Sequence, residues 1–218
     1  LSYMKRTLSR SFCNVVASLF MALLLTAFCS CHNDDEQIPP VMTDLACLEI
    51  GSDGIVNFMN LDNGEHLGLA NKLKSEVSDT TLRCLCMYSL EEGMARIYSA
   101  KTIFSREASP RSEFDTTAVD PVKFVSAWRT PHFLNINIGV MTTGAAPHNF
   151  AFCLDTIAEN VNGNHCIAYF TFMHQRPTED AESYTSDVFM SLPLDKYAGC
   201  DSVSLTINTY NGPRTIVR

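Results

Sequence analysis

The segment FLNINIGVM (residues 133–141) predicts the fold class, because apolar and polar side chains alternate along it. Successive side chains of a β-strand point to opposite faces of its sheet. One face would carry Leu134, Ile136, Ile138 and Val140, and the other Asn135, Asn137 and Gly139. This pattern is typical of a half-buried strand in an antiparallel sheet. It recurs in TLRCLCMYSL (81–90) and SVSLTIN (202–208), so we expect an all-β protein.

Turn signals separate these strands. Asn63-Gly64, Asn162-Gly163 and Asn211-Gly212 each lie beside strand-like runs. The Asn-Gly pair favours a type I′ hairpin, which needs positive φ at both central residues. The spacing of apolar residues also favours one short helix near residues 71–76.

A polar stretch divides the strands into two groups. SREASPRSEFDTTAVD (105–120) lacks strand periodicity, and we interpret it as a linker. Residues 44–104 predict about five short strands, the size of an OB-like barrel. Residues 121–218 predict about seven, the size of an immunoglobulin-like β-sandwich.

The first 30 residues predict a cleaved signal peptide. Lys5, Arg6 and Arg10 follow Met4, the expected start, and form a positively charged region, and an apolar run of 14 residues (15–28) comes after them. A membrane-spanning helix needs about 20 residues, so this run fits the shorter core of a secretory signal.

The end of the signal resembles a bacterial lipobox. Cys31 follows the small residue Ser30, whereas Cys29 follows the bulky Phe28. We therefore expect cleavage before Cys31 and attachment of acyl chains such as palmitate. These acyl chains would anchor the protein in the lipid bilayer, which is its expected partner, because each CH₂ group buried in the membrane contributes about 0.8 kcal/mol to binding.

An acidic tether, residues 31–43, follows the lipidation site. Its Asp34, Asp35 and Glu36 resemble the export signal that sends lipoproteins of Gram-negative gut and oral anaerobes to the cell surface. The simpler alternative is a solvated spacer. Outer-membrane attachment at the cell surface is the expected location, with the periplasmic face as the alternative.

Charge excludes one class of partner. The 218 residues carry 16 basic and 24 acidic side chains, a net charge of −8. Loss of the three basic residues of the signal makes it −11. An acidic body repels phosphate, so we do not expect nucleic acid as a ligand.

The chain also resembles the NigD-like lipoproteins. The resemblance rests on the lipoprotein start and, in order, on NFMNLDNGEHL (57–67), DPVKFVSAWRTPHFLNINIGV (120–140), YTSDVFMSLPLDKY (184–197) and SLTINTYNG (204–212). It implies an OB-type domain, a C-terminal β-sandwich and an envelope location. The family is named from a locus linked to a bacteriocin, and the resemblance implies no catalytic residues.

Six cysteines lie beyond Cys31: Cys47, Cys84, Cys86, Cys153, Cys166 and Cys200. Their spacing leaves all fifteen complete pairings open. Cys153 and Cys166 flank a predicted turn and would lie on adjacent strands. We favour reduced, buried thiols, which behave as small apolar residues. A Cys-x-Cys pair inside a strand lacks the usual spacing of a zinc knuckle, so we predict no metal site.

No motif predicts catalysis or a cofactor. The sequence has no GxSxG, Walker or HExxH pattern, and we expect the histidines at turns and strand ends. We interpret Glu179, Asp180 and Glu182 as part of a solvated loop. The alternative, a calcium site in this loop, is less favoured because the spacing of an EF-hand is missing. Trp128 is the candidate ligand platform, with a core position as the alternative.

These features favour a non-catalytic binding module at the envelope, with a protein or glycan ligand. One alternative is a hydrolase whose site assembles only in the fold, which would bring a histidine, a carboxylate and a nucleophile together. The other is an accessory or immunity factor for a bacteriocin, which rests on the family resemblance.

Overall fold

The computed structural model describes residues 39–114, 118–144, 146–159, 165–178 and 184–218. Across these residues the regular structure is β-strand, apart from the two short 3₁₀ turns Arg111–Glu113 and Asp195–Tyr197. The all-β prediction is confirmed. In the described part of the chain, no helix has the length and apolar character needed to cross a membrane. The predicted signal peptide and the tether up to residue 38 lie outside the described residues.

Five strands form the first sheet, in the order β3-β2-β1-β4-β5. Each neighbouring pair is antiparallel. The strands are β1 (Met42–Ile50), β2 (Val56–Leu61), β3 (His66–Gly68), β4 (Thr80–Glu91) and β5 (Met94–Thr102).

A parallel contact closes this sheet on itself. Leu69, just after β3, bridges Ala95 of β5, and the Ala70 amide donates to the Ala95 carbonyl at 2.9 Å. A closed five-stranded sheet of this order is an OB-like barrel. Met59, Cys86 and other apolar side chains fill it.

Two further sheets form a β-sandwich, in the orders β14-β13-β11-β10-β7 and β6-β12-β9-β8. The predicted apolar face of FLNINIGVM is confirmed, because all four of its residues are buried in the sandwich core. The strands are β6 (Phe104–Ser105), β7 (Ser109–Pro110), β8 (Lys123–Arg129), β9 (Phe133–Thr142), β10 (Asn149–Glu159), β11 (Cys166–Gln175), β12 (Tyr184–Pro193), β13 (Ser202–Thr209) and β14 (Gly212–Val217).

The sandwich departs from simple antiparallel pairing. β11 pairs with β13 in parallel, because the chain crosses to the opposite sheet through β12 before it returns. Two short strands at and within the stretch 105–120 pair in parallel with the sandwich sheets: β6, which begins at Phe104, pairs with β12, and β7 pairs with β10.

The turn predictions are partly wrong. Gly64 and Gly212 have positive φ, but the only described non-glycine residues with positive φ are Asp79 and Glu92. The turns at 63–64 and 211–212 are therefore not type I′, and 162–163 lies outside the described residues. The pair Glu92-Gly93 joins β4 to β5 with φ of 51° and 81°, as a type I′ turn requires. The helix expected at 71–76 is absent, since Lys74 forms an extended bridge to Ile55.

Candidate functional site

A cleft of about 610 Å³ lies between the barrel and the sandwich. This volume is within the range of pockets that hold small molecules. Strands β1 and β4 and the β2–β3 hairpin supply one wall, and β8 and β12 supply the other. Its lining residues are Met42, Thr43, Asp44, Leu45, Leu61, Asp62, Asn63, Glu65, Leu85, Tyr88, Leu90, Trp128 and Phe189.

Trp128, predicted as a ligand platform, lines this cleft and is half-buried. It lies opposite Asn135 of β9, on the sheet face that points away from the sandwich core. Phe189 of β12 lies on the same face, since its neighbours Val188 and Met190 pack into the core. Trp128 as a platform stays a prediction. Cys31, Asp34, Asp35 and Glu36 lie outside the described residues.

The barrel wall presents a neutral phenol bonded to a carboxylate. Tyr88 is buried, and its hydroxyl donates to Asp44 Oδ2 at 3.0 Å. Burial, together with the neighbouring Asp44 carboxylate, raises the pKa of Tyr88 to about 12. The phenol therefore stays protonated at neutral pH and orients Asp44 at the cleft.

Next to the cleft, a buried arginine, Arg83, joins the barrel to the sandwich. The Arg83 side chain is only 4% exposed, and its Nη2 donates to Asp62 Oδ2 at 2.6 Å. The same nitrogen donates to Asn135 Oδ1 at 3.2 Å, and Nε donates to Ser191 Oγ at 3.1 Å. The guanidinium also lies 4.0 Å above the Phe133 ring. A buried charge is tolerable because it is paired and hydrogen-bonded in this way.

The partners of Arg83 are also bonded to one another. Asn135 Nδ2 donates to Asp62 Oδ2 at 2.9 Å, and Ser191 Oγ donates to Asn135 Oδ1 at 2.6 Å. Asp62 belongs both to this network and to the cleft wall. The network therefore fixes the barrel wall of the cleft against the sandwich.

Sequence reasoning missed this network. The alternation pattern placed Arg83 and Asn135 on strand faces opposite the apolar ones, and both are buried. One signal was available: Arg83 is the only charged residue in TLRCLCMYSL.

The charged residues that line the cleft are all acidic. They are Asp44, Asp62 and Glu65, and no basic residue lines it among the residues that the structure describes. Arg83 neutralises Asp62. Asp44 and Glu65 have no salt-bridge partner in the described part of the chain, so the cleft carries unneutralised negative charge.

The cysteines differ in part from the prediction. Cys166 and Cys200 form a disulfide, so the favoured reading that all six are reduced is wrong for these two. Cys153 and Cys166 lie on the adjacent strands β10 and β11 as expected, but they do not pair. Cys47, Cys84, Cys86 and Cys153 are free. Burial raises the pKa of each of these thiols, that of Cys86 to about 12. They therefore stay protonated at neutral pH.

His174 lies near the end of β11, one of the strand-end positions expected for the histidines, and it is buried. The His174 Nδ1–H donates to the Asp120 carbonyl at 3.0 Å, and the His148 Nδ1–H donates to His174 Nε2 at 2.9 Å. Burial lowers the pKa of His174, so the imidazole is neutral. The backbone of His174 also forms hydrogen bonds with Ala118 and Asp120, and these bonds hold the segment 118–120 against β11. His174 therefore has a structural role.

The combination of histidine, carboxylate and nucleophile named above for a hydrolase is not found in the described lining of the cleft. In the described residues no histidine, serine or cysteine lines it. A separate cavity of about 300 Å³ contains His174 and Glu113, but its described lining has no serine, threonine or cysteine. No group of three or more metal-ligating side chains occurs within the described ranges. The carboxylates at 179–182 lie outside them.

Comparisons agree with this architecture. The model of the NigD-like C-terminal β-sandwich domain matches residues 106–217. A NigD-like immunity protein from Bacteroides caccae has 23% identity and a TM-score of 0.62, over 83% of this chain and 92% of that one. A protein of unknown function from Bacteroides vulgatus has 14% identity and a TM-score of 0.63, over 82% and 90%. A proposed lipoprotein from Bacteroides fragilis has 11% identity and a TM-score of 0.58, over 82% and 96%. None of the curated proteins matches.

Proposed function

The chain belongs to the NigD-like family, and we propose that it is a non-catalytic binding module of the cell envelope. The observation that carries the proposal is the cleft between barrel and sandwich. Its walls combine Tyr88, Trp128 and Phe189 with aliphatic side chains and a few polar groups. This composition is typical of ligand-binding sites.

We also propose that the chain is a lipoprotein anchored in the outer membrane through Cys31 and exposed at the cell surface. The lipobox-like FCSC and the acidic tether support this location. The structural relative from Bacteroides fragilis, itself a proposed lipoprotein, is consistent with it. The body is acidic, so acyl chains rather than electrostatic attraction would hold it at an anionic membrane.

Photo-crosslinking in living cells tests the binding site. A benzophenone amino acid at Leu90, which lines the cleft and is 40% exposed, is expected to give a discrete crosslinked product. The matched control is Val125 on β8, which is 45% exposed and lies outside the cleft lining. The Leu90 product should disappear when Trp128→Ala is added. Equal products at both positions, or a Leu90 product that survives Trp128→Ala, would contradict the proposal.

A second candidate role is that of an accessory or immunity factor for a bacteriocin. The Bacteroides caccae relative is called an immunity protein, which is the observation that favours this role. Deleting the gene would then change bacteriocin activity or immunity. No change in either would remove this candidate and leave the binding proposal standing.

A further inference from the structure

The cleft between barrel and sandwich has a chemistry that selects among ligand classes. We propose that its ligand is a cationic peptide segment in which lysine or arginine neighbours bulky apolar side chains. This inference rests on the proposed function, because it names the partner of the same cleft.

The charge of the cleft favours a cationic ligand. Asp44 and Glu65 line the cleft without a salt-bridge partner in the described residues, and no described lining residue is basic. The expected mature chain has 13 basic and 24 acidic residues, so the long-range field has the same sign as the cleft. Both effects attract cations and repel phosphates, sulfated sugars and acidic peptides.

The apolar walls of the cleft favour a peptide over a small cation. Leu61 and Leu85 line the barrel side, while Trp128 and Phe189 line the sandwich side. A metal ion or a small polyamine would leave most of this apolar surface uncovered. A peptide places apolar side chains against the walls and its ammonium or guanidinium groups at the carboxylates. The indole of Trp128 adds an attractive surface for a cation.

The occupant is a separate molecule and not the chain's own tether. The tether carries Asp34, Asp35 and Glu36 within a few residues of β1, which begins at Met42 on the cleft wall. Like charges on the tether and in the cleft disfavour their association. A cationic partner would be attracted by both.

Fluorescence of the full chain in zwitterionic lipid vesicles, which contain no other protein, tests the ligand class. Trp128 is the chain's single tryptophan, so its emission reports on the cleft alone. The probe is the tryptophan-free peptide acetyl-Lys-Leu-Lys-Leu-Lys-amide, and we expect a saturable change in emission. The same peptide with glutamate for lysine should give no change. The peptide with serine for leucine should bind at least about tenfold more weakly, since it lacks the two apolar side chains.

Variants locate the charge contribution. Asp44→Asn combined with Glu65→Gln should weaken binding of the lysine–leucine peptide roughly tenfold at low salt, and less at high salt. Glu76→Gln is the matched control, because Glu76 is an exposed barrel carboxylate outside the cleft lining. The affinity of this variant for the peptide should stay within about twofold of the wild-type value. Phe189→Ala should also lose binding of the lysine–leucine peptide. Both calorimetry and the emission of Trp128 can measure this loss.

Equal binding of the glutamate peptide, or no response to the lysine–leucine peptide, would overturn the inference. The proposed function has a separate readout. If crosslinking at Leu90 remains dependent on Trp128 while the cationic peptide fails, the ligand class is wrong and the binding module stands. If both fail, the cleft is not a binding site.

Discussion

Replacing Arg83 with alanine is expected to lower the free energy of unfolding by about 3–5 kcal/mol, because it leaves a buried ion pair without its cation. The Asp62 carboxylate is only 18% exposed and would lose its charged partner. Asn135 and Ser191 would lose hydrogen bonds at the same time. Chemical denaturation, followed by the fluorescence of Trp128, measures the change.

Arg96→Ala provides the matched control for this prediction. Arg96 pairs with Glu91 on the barrel surface, with both side chains substantially exposed, so its loss should leave stability nearly unchanged. Arg83→Met combined with Asp62→Leu should recover part of the stability lost in Arg83→Met, because no unpaired carboxylate remains. If Arg83→Ala is no more destabilising than Arg96→Ala, the network does not join barrel and sandwich in the way described.

Replacing Cys31 with alanine is expected to release the protein completely from the membrane fraction. The acyl chains can attach only to the cysteine at the new N-terminus, and they supply the binding energy of the anchor. Cys29→Ala is the matched control, two residues away, and should stay in the membrane fraction. Fractionation of cells followed by immunoblotting measures both.

Protease treatment of intact cells then tests the surface location. The wild-type protein should be degraded rapidly, whereas a variant with Asp34, Asp35 and Glu36 replaced by serine should stay membrane-bound but protected. Protection of the wild type until the outer membrane is breached would place the chain on the periplasmic face. Retention of Cys31→Ala in the membrane would show that Cys31 is not the anchor.

The strands of the sandwich core were predictable from the sequence, because alternating apolar and polar residues indicate which face of a strand is buried. The four apolar residues of FLNINIGVM are all in the core. The same pattern could not show that the Asn135 face is also covered. The alternation distinguishes an apolar strand face from a polar one. It cannot distinguish a polar face that packs against the barrel from a polar face that is exposed to solvent, because both carry the same kinds of residue.

The turns and the cysteine pairing needed tertiary information. Glu92 adopts positive φ in the turn before β5, although glutamate seldom does so, and no Asn-Gly signal marked it. The Cys166–Cys200 disulfide brings together residues from β11 and from the segment before β13. These become neighbours only through the parallel pairing of β11 with β13, which the local pattern does not encode.

The cleft itself was only half predictable. Trp128 stood out because it is a single tryptophan at the end of a strand-like run. The acidic residues Asp44 and Glu65, which line the same cleft, lie on the barrel, more than sixty positions earlier in the chain. Their convergence depends on how barrel and sandwich pack, and Arg83 determines part of that packing.

The indole N–H signal of Trp128 shows whether a ligand occupies this cleft. In the ¹⁵N-labelled protein this signal is unique, because the chain has one tryptophan. Envelope extract from the bacterium that carries the gene should shift or broaden it. An excess of unlabelled wild-type protein should restore the free position, and unlabelled Trp128→Ala should not. Extract that moves other signals and leaves the indole signal unchanged would show that the ligand binds outside this cleft.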